Sequence, residues 1–323
     1  MNNITLPLSD LYSPIRQDLA VVERIFDDEL RSDFPFVNDL CTPVRSCRGK
    51  MLRPTLLLLS GQAAGGLSSA HHTLGAVVEM VHAATLAHDD VLDEADERRG
   101  QLPANRVVGN VAAVLLGDYL ISHAFHLCSS LASQYASRRI GSTTNAVCEG
   151  ELLQNQQRGN ADLSEEFYLE IIGKKTGALT ATSCELGAHE AAADSTVIEA
   201  LRSYGMSVGV AFQIIDDVLD LVGDRGAVRK TLRRDLALGK ATLPTIHCLT
   251  CADAATASRL RRGMTGEADL KFEQVRDWLM RSGSIDYAIS TAQEYVADAV
   301  RRLDIVGPSD AKTSLIAMAE FIV

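Results

Sequence analysis

Two segments of the chain, residues 89–93 and 216–220, both read DDVLD, so that Asp89, Asp90 and Asp93 recur as Asp216, Asp217 and Asp220. Each follows an apolar stretch at helical spacing, and positions i, i+1 and i+4 of a helix place three carboxylates within one turn on adjoining faces. Like charges that close repel, and a helix C-terminus adds negative partial charge of its own, so such a cluster is destabilising unless a cation sits beside it. A single copy would read as a solvated helix end; the repetition argues for function. Carboxylate oxygens select hard cations, and a set that leaves coordination positions to water or phosphate suits Mg²⁺ better than a closed Ca²⁺ cage. An EF-hand is excluded, because its glycine and its bidentate glutamate belong to one continuous loop and these acids are far apart in the chain. The expectation is two facing carboxylate clusters in a helical bundle, forming a metal-bridged site for a polyanion.

Cations that would complement a diphosphate come in small groups: Lys50 and Arg53 in GKMLRP, Arg98 and Arg99 in RRG, Lys174 and Lys175 with Thr176 in KKT, and Lys230 and Lys240 in RKTLRRDLALGK. Arginine forks match phosphate oxygens bidentately, and lysine supplies a mobile point charge. Any one of these residues reads as surface; the set, beside two acidic motifs, does not. The formal charge of −11 argues against a global attraction to nucleic acid, so a phosphate site must be local. The chain carries no GxxxxGK[ST], in keeping with chemistry that needs no Walker loop.

The elements that must position these residues read as helices throughout, since period-two alternation is nearly absent while apolar residues recur at helical spacing, as at Leu74, Val77, Val78 and Val81. Helices are expected at about 14–30, 50–62, 70–93, 107–134, 141–157, 165–190, 195–222, 237–250, 269–282, 285–303 and 309–322. The longest breaks fall at about 31–48, 94–106 and 223–236, and the last two follow the acidic clusters and carry paired arginines, as functional loops do. No linker or repeat divides residues 1–323, which are expected to form one all-α domain. The N-terminal segment lacks the pattern of a secretory signal, and no apolar run approaches about 18 residues, so a cytoplasmic protein with no membrane span is expected. Seven scattered cysteines fit reduced thiols. Cys248 and Cys251 form a CxxC, read as weak evidence for zinc in the absence of a second pair or a nearby histidine.

Taken in order, GKMLRP, EMVHAATLAHDDVLDEADERRG, GELLQ, KKTGAL, FQIIDDVLD and DLALGKATLP resemble the motifs of the trans-isoprenyl diphosphate synthases, the polyprenyl synthetase family, over Gly49 to about Cys248. The resemblance implies a helical bundle around a central cavity, and a Mg²⁺-dependent condensation of isopentenyl diphosphate with an allylic prenyl diphosphate by ionisation and attack. It implies that Asp89, Asp93 and Asp216 ligate magnesium, three ions in all, with Asp90, Asp217 and Asp220 acting through water or behind the ligands. Arg98, Lys175, Gln213 and Lys240 would grip the allylic diphosphate, with Thr176 beside the forming cation. Lys50, Arg53, His82 and Arg99 would hold isopentenyl diphosphate. His82 alone reads as a core histidine, and its place two helical turns before Asp89 is what raises it. Arg48 and Arg229 stand where many members have glycine, which puts the role of Lys230 in question. Family members are usually homodimers.

HDDVLDEADERRG most resembles the long-chain synthases. Ala84 and Thr85, about one turn before Asp89, are small where short-chain members carry an aromatic floor; Met80, a turn further on, is the alternative floor. A product longer than C20 is therefore expected, with a farnesyl or geranylgeranyl diphosphate synthase as the alternative. A terpene cyclase would not need Lys50, Arg53 and Arg99, and a non-catalytic partner subunit would not need both DDVLD motifs intact.

Overall fold

The computed structural model describes residues 11–46, 49–95, 102–222, 238–268 and 270–323, and among these every regular element is a helix. The chain is all-α. It divides into two compact units: Met1–Asn145, Leu179–Met206 and Ala299–Phe321 form the first, while Ala146–Ala178, Ser207–Asp298 and Ile322–Val323 form the second.

The first unit is built on the helix Ser69–Leu92, which packs against Arg16–Glu29, Leu52–Ala64 and Asn110–Ser129. Leu52–Ala64 is apolar on all sides: Leu56, Leu57, Leu58 and Leu59 are all fully buried, as a helix in the middle of a bundle requires. Its neighbours come close because side chains are missing where they would collide. A Cβ on Gly187 would strike the Leu57 carbonyl, and one on Gly61 would lie 2.5 Å from the His71 ring. His71 uses that space fully. Its Nδ1 accepts from the Ser68 backbone N–H at 3.0 Å, and its Nε2 donates to the Gly187 carbonyl at 3.0 Å. In the second unit, Leu243–Cys251 packs against Glu165–Ile172, Ala254–Met264 and Phe272–Arg281.

Several boundaries differ from the sequence reading. The expected break at 31–48 contains a helix, Pro35–Ser46, despite the internal Pro43. Pro35 suits a first helical position, where its missing N–H has no partner to lose, and Asn38 ties the preceding turn through Ser32 N and O. The expected helix 107–134 is interrupted by Gly109 at φ +83°, which separates a short turn, Ala104–Val108, from Asn110–Ser129. The following helix starts at Gln134 rather than 141. A further helix, Ala254–Met264, occupies a stretch expected to be irregular; Asp253 caps it by accepting from Thr256 N at 3.0 Å.

Two other expectations are corrected. Asn110–Ser129 is, by length and composition, long and apolar enough to span a membrane, with a mean hydropathy of 1.5 over its best window, a third of which is buried. Asp118, His123 and His126 interrupt its apolar run in sequence without lowering that average enough to disqualify it. The CxxC does have a histidine at hand: His247 Nε2 lies 3.4 Å from Cys251 Sγ, because i and i+4 share a helix face.

Candidate active site

The Asp89 triplet occupies the C-terminal end of its helix. Asp89 and Asp90 lie in the last turn of Ser69–Leu92, and Asp93 is the C-cap, its N–H bonded to the Asp89 carbonyl at 2.9 Å. Glu94 then turns left-handed at φ +53°. The backbone leaving this helix end is held from Ala104–Val108: Asn105 Nδ2 donates to Asp90 O at 2.8 Å, which also accepts from the Ala95 N–H, and Arg106 Nε donates to Ala95 O at 3.1 Å. The result is an acidic end held by its backbone. Asp90 is 3% exposed, while Asp89 and Asp93 are half-buried.

The same unit contains Lys50, Arg53 and His82. Between the two cations Met51 adopts φ +49° and caps the helix Leu52–Ala64; a left-handed methionine is strained, and such strain concentrates at functional loops. Lys50 is exposed, with its Nζ 5.7 Å from the centroid of the Phe321 ring. A cleft with an empty volume of about 670 Å³, open solvent included, brings Gly49, Glu79, His82 and Asp90 together with apolar neighbours such as Leu86 and Pro103. Met80, Ala84 and Thr85 are not in that lining, and Met80 and Ala84 are fully buried.

In the second unit, the Asp216 triplet lies in the last two turns of Ser195–Val222. Asp217 is 6% exposed, Asp216 is exposed and Asp220 half-buried. Both oxygens of Asp217 are engaged, Oδ2 by the Tyr168 hydroxyl at 2.6 Å and Oδ1 by Gln213 Nε2 at 2.8 Å. Gln213 Oε1 in turn accepts from Thr176 Oγ1 at 2.8 Å. Thr176 sits in a π-helical turn, Gly173–Gly177, a distortion that recurs at functional sites because it shifts the register of the side chains it carries. Gly150 makes the turn possible, since a Cβ there would lie 2.6 Å from Lys175 N. Lys175 Nζ donates to Gln154 Oε1 at 2.8 Å and pairs with the Glu151 carboxylate. Lys240 is buried directly after Gly239, whose φ of +67° and carbonyl bond to Gly159 N–H at 2.8 Å shape the loop.

The structure thus gathers Thr176, Gln213 and Asp217 into one hydrogen-bonded group, pairs the adjacent Lys175 with Gln154 and Glu151, and joins His82 and Asp90 in one cleft. Arg98, Arg99 and Lys230, with Arg48 and Arg229, lie outside the described residues. Sequence reasoning missed Asn105, Arg106, Glu151, Gln154 and Tyr168 as supports. GELLQ contains two of them and was the available signal; nothing local distinguishes Asn105 or Tyr168 from ordinary core residues.

Among the described residues no three His, Cys, Asp or Glu side chains converge closely enough to form a ready metal cage. The donor chemistry nonetheless fits a hard divalent cation. Each triplet keeps two carboxylates within reach of solvent and one buried, so few protein oxygens are offered, and most of an octahedron is left to water and phosphate.

Residues 35–279 match the polyprenyl synthetase family. The chain is 33% identical to the octaprenyl diphosphate synthase of Escherichia coli over 308 residues, 95% of each chain. It is 35% identical to an all-trans-nonaprenyl-diphosphate synthase of Rhodobacter capsulatus, over 95% of this chain and 94% of that one. Its fold is similar to that of a polyprenyl synthase from Caulobacter crescentus, solved with calcium and isoprenyl diphosphate, with a TM-score of 0.94 at 32% identity over 99% and 98% of the two chains. The chain belongs to the polyprenyl synthetase family. Within it, the protein is a trans-polyprenyl diphosphate synthase, a prenyltransferase of the long-chain kind whose product exceeds C20.

Proposed function

We propose that the enzyme condenses isopentenyl diphosphate with an allylic prenyl diphosphate in the 1′-4 head-to-tail sense, with Mg²⁺ as its metal and three ions bound with the diphosphate. The observation that carries this reading is the matched pair of DDVLD triplets, each with its middle aspartate buried and its outer two open. Asp89, Asp93 and Asp216 would hold the metal, with Asp90, Asp217 and Asp220 behind them. Bound there, Mg²⁺ would neutralise charge on the leaving diphosphate.

The chain's own residues do the rest. Lys175, Lys240 and Arg98 bind the allylic diphosphate, and release of Lys175 from Gln154 and Glu151 lets its ammonium follow the charge that develops on the leaving group. The Thr176 hydroxyl oxygen and the Gln213 carbonyl turn negative dipoles toward the allylic cation. Lys50, Arg53, His82 and Arg99 hold isopentenyl diphosphate so that its double bond attacks that cation, and the departing diphosphate takes the proton that is lost; Lys230 is a further diphosphate-binding residue. No side-chain base is required, which fits the absence of a histidine from the Thr176–Gln213–Asp217 group.

The chain grows past Ala84 and Thr85, with Met80 beyond them. A homodimer is supported by the helix Asn110–Ser129, which leaves Val111 78% exposed and Leu115 58% exposed on one face within the first unit. Matching of the family over 35–279, a span that includes parts of both units, supports reading the chain as one polyprenyl-synthetase domain.

The test is direct. Purified enzyme with Mg²⁺, an allylic primer and isopentenyl diphosphate should yield products longer than C20, and Ala84→Phe should shorten them while leaving the first condensations intact. Chromatography of the dephosphorylated products reads the result; unchanged lengths in an active Ala84→Phe enzyme reject the path past Ala84.

A further inference from the structure

The hydrogen bonds around Asp217 have a direction that each donor imposes on the next. The Tyr168 hydroxyl has one proton, and it goes to Asp217 Oδ2 at 2.6 Å. A carboxylate only accepts, so Gln213 must present its NH₂ to Oδ1, at 2.8 Å. That fixes the amide: Oε1 faces Thr176, whose single hydroxyl proton is spent on it at 2.8 Å. With its proton committed to Oε1, the Thr176 oxygen can act only as an acceptor in any other contact. Tyr168 is 3% exposed and Thr176 7% exposed, so water does not readily substitute for either end of the chain.

Were the amide reversed, its NH₂ would face Thr176 and the site would offer a positive edge where positive charge develops. The enzyme therefore needs the amide held one way round. Asp217 does so only while it is itself held, and Tyr168, from the helix Glu165–Ile172 just ahead of the π turn, is the group that holds it.

We propose that Tyr168 is a positioning residue for prenyl transfer: through Asp217 it sets the orientation of the Gln213 amide and thereby turns the Thr176 lone pairs toward the allylic cation. The inference rests on the roles given above to Thr176 and Gln213. A tyrosine that merely fills the core would stabilise the fold and leave the chemistry alone.

Tyr168→Phe removes the hydroxyl and keeps the ring. The expected result is a fall in kcat of about tenfold, with KM for isopentenyl diphosphate within about twofold of wild type, because the residues assigned to that substrate are untouched. The deciding measurement is a double-mutant cycle with Gln213→Ala. If Tyr168 acts through the amide, its substitution costs nothing further once the amide is gone. Should Tyr168→Phe fail to fold, Tyr168→Leu, which also removes the hydroxyl, is tested in the same cycle. Wild-type kcat in Tyr168→Phe, or a loss by either variant that persists in the Gln213→Ala background, overturns the inference alone. Full activity in Gln213→Ala overturns the reading of the site and the inference with it.

Discussion

The two aspartate triplets share a sequence and differ in what holds them. The first is an interrupted helix: Asp93 caps it, Glu94 turns left-handed, and Asn105 and Arg106 donate to the Asp90 and Ala95 carbonyls. The second stays inside a continuing helix, and its buried aspartate is gripped through the carboxylate by Tyr168 and Gln213. Among the described residues, the first motif is met at its backbone and the second through a side-chain network. The lesson is that DDVLD specifies a ligand chemistry and leaves its support to the surroundings, so the two sites should fail in different ways when those surroundings are changed.

The outer aspartates should not distinguish the sites. Asp89→Ala and Asp216→Ala each remove a proposed metal ligand, and turnover is expected to fall about a thousandfold or more in both, at about 1.4 kcal/mol per factor of ten. Steady-state rates at saturating Mg²⁺ with circular dichroism as a fold control measure this; near-wild-type turnover in either variant breaks the equivalence.

Substrate assignment offers a sharper contrast. Lys50→Ala and Arg53→Ala, in the first unit, should raise KM for isopentenyl diphosphate by about ten- to a hundredfold and move KM for the allylic substrate much less. A larger shift in the allylic KM would mean that the two pockets are exchanged.

Asn105→Ala probes the backbone support itself. It removes one donor from the Asp90 and Ala95 carbonyls, which keep the Ala95 N–H and Arg106 Nε as partners, so it should cost about 0.5–1.5 kcal/mol of stability. Urea unfolding checks it. Because no carboxylate contact is lost, the accompanying drop in kcat should be smaller than that of Tyr168→Phe, and an equal drop would erase the distinction between capping and network support.

The smallest effect concerns pH and lies away from both motifs. Burial pushes the His71 imidazole below the usual histidine range, against the opposing pull of its bond to the Gly187 carbonyl. In the folded chain the ring is neutral, with Nδ1 accepting from Ser68, whereas an unfolded histidine takes up its proton near pH ~6.5. Its contribution is therefore present above about pH 6.5 and is lost as the pH falls below that value. The gap in unfolding midpoint between wild type and His71→Asn should narrow between about pH 7 and pH 5; a gap that stays constant excludes this titration.

How much of this was legible beforehand follows from the range of the interactions involved. Helical periodicity and the DDVLD spacing act over a few residues, so the all-α class, the helix carrying each triplet and the choice of a hard cation could be read directly from the sequence. The same holds for the motif order that marks the family. Boundaries were less legible where a glycine or a proline decides them. Gly109 splits one expected helix through a positive φ, and Pro35 starts another in what reads as a loop.

What only the tertiary structure decided is which side chain meets which across long separations. Tyr168 and Asp217 are 49 positions apart, and Thr176 and Gln213 are 37 apart. No local pattern encodes such pairs, because each depends on two helices being laid side by side, and on Gly150 having no side chain to keep the Lys175 backbone away. The sequence by itself determined the residue types the protein offers: two repeated carboxylate triplets, small groups of cations and the motif order that marks its family. The direction in which a buried amide points, and so the sign of the charge it shows to the substrate, is set by packing, since a glutamine side chain can present either end until its neighbours choose one.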